Sequence, residues 1–518
     1  MKSKIYKSIF SLALVSCLFV TSCDKSIEFS EHLTPLQPAS LDEDAGTWKM
    51  AFMTAPDQVA VPAPVATSSD AYKAELTAIK DAQSKLTGGQ RDIIEFWSGG
   101  GVLRWNQIFR ELVARYNLPP APRADGSYPV PDAENPFGDP AFPFANPPYA
   151  ARAYAYVSAG MYDALKAAWH YKYLYDRPAP YANDPDVEAL VPETTLPSYP
   201  SEDAVMSGTA AEMLKFLFPA ALEEITKRAA DQRNAALWSG KASSSDITAG
   251  LNLGKSIAAL FVARGRTDGA GTAGGNKAIW DALANNATSR GDEAWHSLET
   301  PPRPPMLPLF GKVLPWQMTT DQIVAIRPPA PPLRGTAEMD SEVEECKWYC
   351  DNLTRERLAI VHKWADGAGT YTPSGHWNDI AAEFIRDANY SEVRAARAFA
   401  IINMGQQNAA IACWDTKYFY FNARPTQLNP AIKTGTGIPN FPAYVSGHST
   451  FSSCAAGVLS YLFPEHSGEF DEMAHEAAMS RLYGGIHYRR DSEAGLTLGS
   501  DVAEHVIENF AKVDGADD

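Results

Sequence analysis

Basic residues are the minority charge in this chain: 45 Lys and Arg stand against 62 Asp and Glu, a formal net charge of −17 over 518 residues. A surface of that sign excludes sequence-independent nucleic-acid binding, which depends on many Lys and Arg contacts to phosphate. Any anion site must therefore be a local cationic pocket in an unfavourable global field. Alternating strand patterns are scarce, which turns the expectation toward helices. Beyond the first 23 residues no run of 18 or more apolar residues occurs, so no transmembrane helix is expected there. Cysteine is sparse as well. Of six, Cys17 and Cys23 lie at the N-terminal end, leaving Cys346, Cys350, Cys413 and Cys454. Cys346 and Cys350 are four apart in a helix-like stretch, which sets their β-carbons about 5–6 Å apart, whereas a disulfide needs about 3.5–4.5 Å. All four read as small buried hydrophobes.

What is present is the composition of a folded protein, 45% apolar and 11% aromatic. The chain opens with a basic segment followed by an apolar run over 9–20, too short to span a bilayer and suited to an export signal. It ends in Val20-Thr21-Ser22-Cys23, which resembles a bacterial lipobox. The resemblance implies cleavage before Cys23, lipidation of that cysteine, and an exported, lipid-anchored place in a bacterial cell envelope. Residues 1–22 are thus expected to be a signal peptide, and 23–85 a tether ending in one helix.

From residue 150 the chain carries an internal repeat: residues 150–254 lie on residues 395–499 at one offset. Trp169 meets Trp414, Lys172 meets Lys417, Ser201 meets Ser446, and Leu217-Phe218-Pro219 meets Leu462-Phe463-Pro464. Asp246, Gly250 and Gly254 meet Asp491, Gly495 and Gly499, and upstream Trp105-Asn106 echoes Trp377-Asn378. Similar helix composition alone would not keep Trp, Lys and Pro positions together. Both copies read as Ala-rich helices, over 150–174 and 393–421, which Pro178 and Pro425 bring to an end. The expected fold is all-α, two helical bundles related by duplication. The halves are 86–265 and 336–518, joined by a Gly/Pro-rich connection over 266–335.

The copies differ where chemistry would sit. Gly447-His448 faces Glu202-Asp203 in the first copy, Arg481 faces Ala236, and His487 faces Ala242, so the second half is expected to carry the site. Lys417 and Arg424 flank a helix end, and both reach one point if the chain turns at Pro425. Ser446-Gly447-His448 opens a helix, whose free amides and partial positive charge suit an anion. Arg481 adds a planar guanidinium matched to oxygens. Asp491, four residues after His487, is placed to accept from the imidazole's other nitrogen and fix its tautomer. Each residue alone is weak evidence. The ordered set K-x6-R-P, S-G-H and S-R-x5-H within 417–487 is specific.

These stretches resemble the signature of the type 2 phosphatidic acid phosphatase superfamily, which includes acid phosphatases and vanadium-dependent haloperoxidases. The run Phe441-Pro442-Ala443-Tyr444-Val445-Ser446-Gly447-His448-Ser449-Thr450-Phe451 and Gly484-Gly485-Ile486-His487-Tyr488-Arg489-Arg490-Asp491 are similar to the haloperoxidase branch. The resemblance implies an enzyme with vanadate as cofactor and His487 as its axial ligand. Lys417, Arg424 and Arg481 would neutralise its oxygens, and Ser446 and the Gly447 amide would donate hydrogen bonds. His448 would be the acid–base group, Asp491 would orient His487, and Trp414 and Phe441 would border the halide. Hydrogen peroxide and halide would be the substrates. Val445 stands where the family usually has proline, which is expected to loosen one backbone constraint.

The same pocket also suits a phosphatase, with His487 attacking the phosphorus of a phosphoester and His448 protonating the leaving alcohol. A non-catalytic surface lipoprotein is a third reading, and it sits poorly with a second repeat that has lost no site residue. The glycine string over 269–274 lacks the preceding strand of a dinucleotide site. A second Ser-Gly-His, Ser374-Gly375-His376, is expected to shape a helix start or pocket rim.

Overall fold

Two 29-residue helices, Pro147–Tyr175 and Glu392–Tyr420, form the centre of the molecule. A computed structural model describes residues 32–119, 122–127 and 145–516; the leader, Cys23 and most of the Pro-rich segment before residue 145 lie outside the described residues. Pro35–Asp518 forms one compact unit.

The principal helices in chain order are α1 (Asp70–Gln83), α2 (Gly88–Ser98), α3 (Gly101–Tyr116), α4 (Pro147–Tyr175), α5 (Glu202–Leu217), α6 (Leu222–Trp238), α7 (Ser244–Thr267), α8 (Lys277–Ser289), α9 (Ala337–Asp351), α10 (Arg355–Lys363), α11 (Thr372–Asp387), α12 (Glu392–Tyr420), α13 (Gly447–Leu462), α14 (Ser467–Tyr483) and α15 (Arg489–Asn509). The protein is all-α: among the described residues the only β pairing is an isolated bridge between Ala294 and Asn422. No described helix is long and apolar enough to cross a membrane.

Local chemistry starts and stops the two central helices. Asn146 caps α4 by accepting from the Tyr149 amide at 3.1 Å, with prolines in the first turn. Ser391 caps α12 through the Arg394 amide at 3.2 Å. Each ends on a left-handed residue, Asp176 (φ 46°) and Phe421 (φ 55°), whose amide closes the last turn on Lys172 or Lys417. Both helices are buried over most of their circumference, their polar residues included, and pack against each other at the centre.

Helices α4, α5 and α6 have equal-length counterparts in α12, α13 and α14. Ser158 of α4 and Asn403 of α12, 245 residues apart, hydrogen-bond at 2.9 Å in the core. Asn403 and Asn378 exchange bonds of 2.7 and 2.8 Å, and Asn378 accepts from Asn106 at 2.8 Å. Four helices are thus tied by one buried amide network in which every link is made.

Residues 35–69 correct the expectation of a tether: they are packed. Buried Asp42 accepts from Arg394 at 2.9 and 2.7 Å, and the amides of Ala51, Phe52 and Met53 converge on the buried Asp163 carboxylate at 2.6, 2.9 and 2.8 Å. A low-complexity composition hid these long-range anchors. The Pro-rich connection is held too, with Trp316 bonded to Gln407 and Asn408 of α12.

Close backbone contact sets the site's frame. A β-carbon at Gly495 would lie 2.7 Å from the Ser446 carbonyl and one at Gly499 2.3 Å from that of Thr450. Only glycine lets α15 press against the first turn of α13, which carries Ser446-Gly447-His448.

Candidate active site

Lys417 sits in the last turn of α12 with no exposed surface, and its ammonium donates to the carbonyls of Pro442, Ala443 and Val445 at 2.9, 2.8 and 2.5 Å. Those bonds fasten the loop leading into α13. Burial pushes the lysine's pKa down to about 7. The Tyr444–Val445 peptide is cis, as is Tyr199–Pro200 in the first half.

Arg424 follows the end of α12 and is also buried. Its Nε donates to the Phe441 carbonyl at 2.9 Å, and Nη1 reaches the Ile486 carbonyl at 2.7 Å and His487 Nε2 at 3.0 Å. Among the described residues Nη2 has no hydrogen-bond partner. Arg481, near the end of α14, bonds Ser480 Oγ at 2.8 Å and the Val361 carbonyl at 3.2 Å. Burial lowers both guanidinium groups to a pKa of about 10.

His487 emerges from the bend at Gly485, which adopts φ +74°. Its Nδ1 lies 2.8 Å from Asp491 Oδ2, which also accepts from the Tyr488 amide at 3.2 Å. Burial and then the nearby Arg424 and Lys417 charges hold His487 well below the ordinary histidine pKa. Burial raises Asp491 to about 7, against the pull of Lys417, the Tyr488 amide and Arg424. The Arg424 donor requires a lone pair on Nε2, so the neutral ring carries its proton on Nδ1 and gives it to Asp491. The main-chain carbonyl of Asp491 accepts from the Ser446 amide at 2.8 Å, joining the two motifs.

Ser446 caps α13, its Oγ accepting from the Ser449 amide at 3.3 Å, which leaves the hydroxyl hydrogen for another acceptor. Beside it, a β-carbon at Gly447 would meet nothing closer than 3.8 Å. His448 Nε2 is buried, 3.7 Å from Asp366 Oδ2, and has no hydrogen-bond partner among the described residues. Burial and then Arg481 push its pKa well below the ordinary value. Trp414 and Phe441 pack with ring centroids 5.0 Å apart, and the Phe441 ring lies 5.1 Å from Lys417 Nζ and 5.0 Å from Arg424 Cζ.

The structure thus gathers Trp414, Lys417, Arg424, Phe441, Ser446, Gly447, His448, Arg481, His487 and Asp491 around the end of α12 and the start of α13. Sequence reasoning missed Asp366 and underrated His376, whose Nδ1 lies 3.1 Å from Asp366 Oδ1. The repeated Ser-Gly-His was the signal for His376; nothing near Asp366 in sequence marked it. In the first half Lys172, Arg177 and an additional lysine, Lys241, which stands where the second half has Ile486, are closed off by carboxylates. Lys172 pairs with Glu202 at 2.7 Å, Lys241 with Glu202 and Asp203 at 2.7 and 2.8 Å, and Arg177 with Asp246 at 3.1 Å.

Among the described residues the carboxylates beside Lys417, Arg424 and Arg481 are Asp491 and Asp366, so basic groups outnumber acidic ones at the centre. Among the described residues no group of three His, Cys, Asp or Glu side chains forms a cation cage. One neutral imidazole nitrogen, an unpaired guanidinium nitrogen, a serine hydroxyl and an open helix N-terminus instead fit a tetrahedral oxyanion such as vanadate or a phosphoryl group.

Residues 397–508 match the model of the PAP2 superfamily and contain every one of these site residues except Asp366 and His376. The fold is that of the vanadium haloperoxidases. The structure of the first bacterial vanadium-dependent iodoperoxidase aligns with a TM-score of 0.53 and 23% identity, covering 70% of this chain and 91% of that one. A holo-type bacterial vanadium-dependent chloroperoxidase aligns with a TM-score of 0.50 and 12% identity, over 73% of this chain and 93% of that one. No curated protein matches the sequence.

Proposed function

We propose that the chain is a vanadate-dependent haloperoxidase that oxidises halide with hydrogen peroxide. The observation that carries the reading is the aromatic wall of Trp414 and Phe441 beside the cations, which gives an oxyanion-binding pocket an apolar, polarisable side for a halide. His487 Nε2 would ligate the metal, and Lys417, Arg424 and Arg481 would neutralise the oxygens. Bound vanadate would supply a Lewis-acidic centre that activates peroxide.

The protein's own part is positioning and proton transfer. Asp491 fixes the His487 ring so that Nε2 presents its lone pair. The Gly447 amide and the Ser446 hydroxyl add preorganised donors that need not reorient as charge develops. His448, held neutral, takes a proton at Nε2 from incoming peroxide and returns it to a departing oxygen. Hydrolysis of a phosphoester would use the same atoms, with His487 Nε2 attacking phosphorus. We propose in addition export and anchoring through lipidated Cys23; Cys23→Ala would then release the protein from membranes, and unchanged fractionation would contradict it.

The functional test compares two activities of one preparation. Vanadate-loaded protein should halogenate a dye with peroxide and at least one of chloride, bromide and iodide. Phosphomonoester hydrolysis without any halogenation would overturn the reading in favour of the phosphatase.

A further inference from the structure

His376 carries a role that the superfamily signature does not include. It lies on α11, outside residues 397–508, and its side chain is 15% exposed at the edge of the site. The ring stacks on Trp364 with centroids 4.5 Å apart and an interplanar angle of 28°, and Trp364 is fixed in turn by Glu476 at 2.9 Å. Its Nδ1 lies 3.1 and 3.3 Å from the two oxygens of Asp366. Asp366 is held in a left-handed conformation (φ 41°), in a loop pinned by Asn117 to the Gly367 carbonyl at 2.9 Å. That aims its second oxygen at His448 Nε2, 3.7 Å away, the buried nitrogen without a partner.

We propose that His376 is a positioning residue for His448, acting through Asp366: the three side chains form a histidine–carboxylate–histidine chain from the rim of the site to its acid–base nitrogen. The inference rests on the reading of His448 as the acid–base group and holds for either reaction. Asp366 stabilises an imidazolium at His448, and it does so while shared. His376 fixes the carboxylate's orientation, and a proton gained by His376 places a second positive charge on the far side of the same carboxylate, opposing protonation of His448. The other charged and titratable groups facing this chain are Arg481 from α14, Lys417 from α12 and His487; Arg481 and Lys417 oppose protonation of His448. Lys363 and Glu476 pair across Trp364, and Tyr371 bonds Asp379, itself paired with Arg110.

The test follows His448 by NMR of histidine-labelled full-length protein without vanadate or substrate, its signal assigned by its loss in His448→Gln. His376→Gln, which keeps a donor and removes the charge, should raise the pH at which His448 titrates, by roughly half a unit to one unit. Asp366→Asn should lower it. The acid limb of kcat/KM for whichever reaction the enzyme catalyses should move in the same directions, with thermal melts confirming that the variants fold. An unmoved His448 titration in His376→Gln overturns the inference, whatever the activity assay gives. Absence of halogenation with the two opposite titration shifts intact sinks the haloperoxidase reading alone.

Discussion

Gly447→Ala separates folding from function more cleanly than any other change. Gly447 begins α13, and its backbone does not need positive φ, so alanine fits the main chain. The added β-carbon meets Phe451 at 3.8 Å, Cys413 at 3.9 Å and Trp414 at 4.0 Å, which is ordinary contact. Stability should be unchanged or rise, by up to about 1 kcal/mol, from the alanine's helical preference and the stiffer unfolded chain. The same methyl group fills the space beside the helix N-terminus and keeps an oxyanion from the amide. Losing one charge-assisted hydrogen bond costs about 1.5–3 kcal/mol, which is roughly a 10- to 150-fold weaker Kd. Calorimetric titration with vanadate, beside melting curves without it, reads both quantities. A variant that melts normally and binds vanadate as the parent does would refute the placement of the anion at the start of α13. Gly499→Ala is the contrast: its β-carbon would lie 2.3 Å from the Thr450 carbonyl, a backbone atom that cannot step aside, so that variant should lose stability first.

Four further changes probe other parts of the protein. Asp491→Asn should leave the fold in place and weaken vanadate binding about 10- to 100-fold, as loss of a ligand-orienting partner does; unchanged affinity in calorimetry would remove Asp491 from the site. His487→Ala should abolish turnover, whereas Lys172→Met should destabilise the fold by removing one of the two cations that pair with buried Glu202, Lys241 remaining, yet leave turnover per folded molecule unchanged; denaturant melts with active-site titration distinguish the two. Glu392 is buried at the start of α12, accepting from the Gly101 and Val102 amides at 2.6 and 3.0 Å, and burial raises its pKa to about 7. The folded state then holds this proton in a range where the unfolded chain has lost it, so this residue's contribution to stability declines as pH rises from about 4.3 to about 7. Glu392→Gln should flatten that decline in melts taken across the interval, and an unaltered slope would contradict the assignment.

Much of the site was legible in the sequence because its chemistry is concentrated in three short segments. Lys417, Arg424, Ser446, Gly447, His448, Arg481, His487 and Asp491 carry side chains whose joint purpose is apparent from type and order alone. The all-helical fold was legible for a related reason: α4 and α12 are long, Ala-rich and bounded by caps. Asp366 was not, since its meaning comes from the partners that folding brings to it, His376 and His448, and no local pattern encodes either contact. The same holds for residues 35–69, whose composition suggests slack chain and whose anchors, Asp163 and Arg394, lie far away in sequence. The first half shows the converse. Its Lys172 and Arg177 look like site residues, and only the geometry reveals that Glu202 and Asp246 neutralise them.

The central claim is that an oxyanion sits on His487 with Arg424, Arg481, Lys417 and the Gly447 amide around it. The most direct measurement is a crystal structure of the protein soaked in vanadate. Vanadium density is expected at bonding distance from His487 Nε2, with its oxygens on those donors. Density elsewhere, or a tetrahedral anion held away from His487 Nε2, would contradict it.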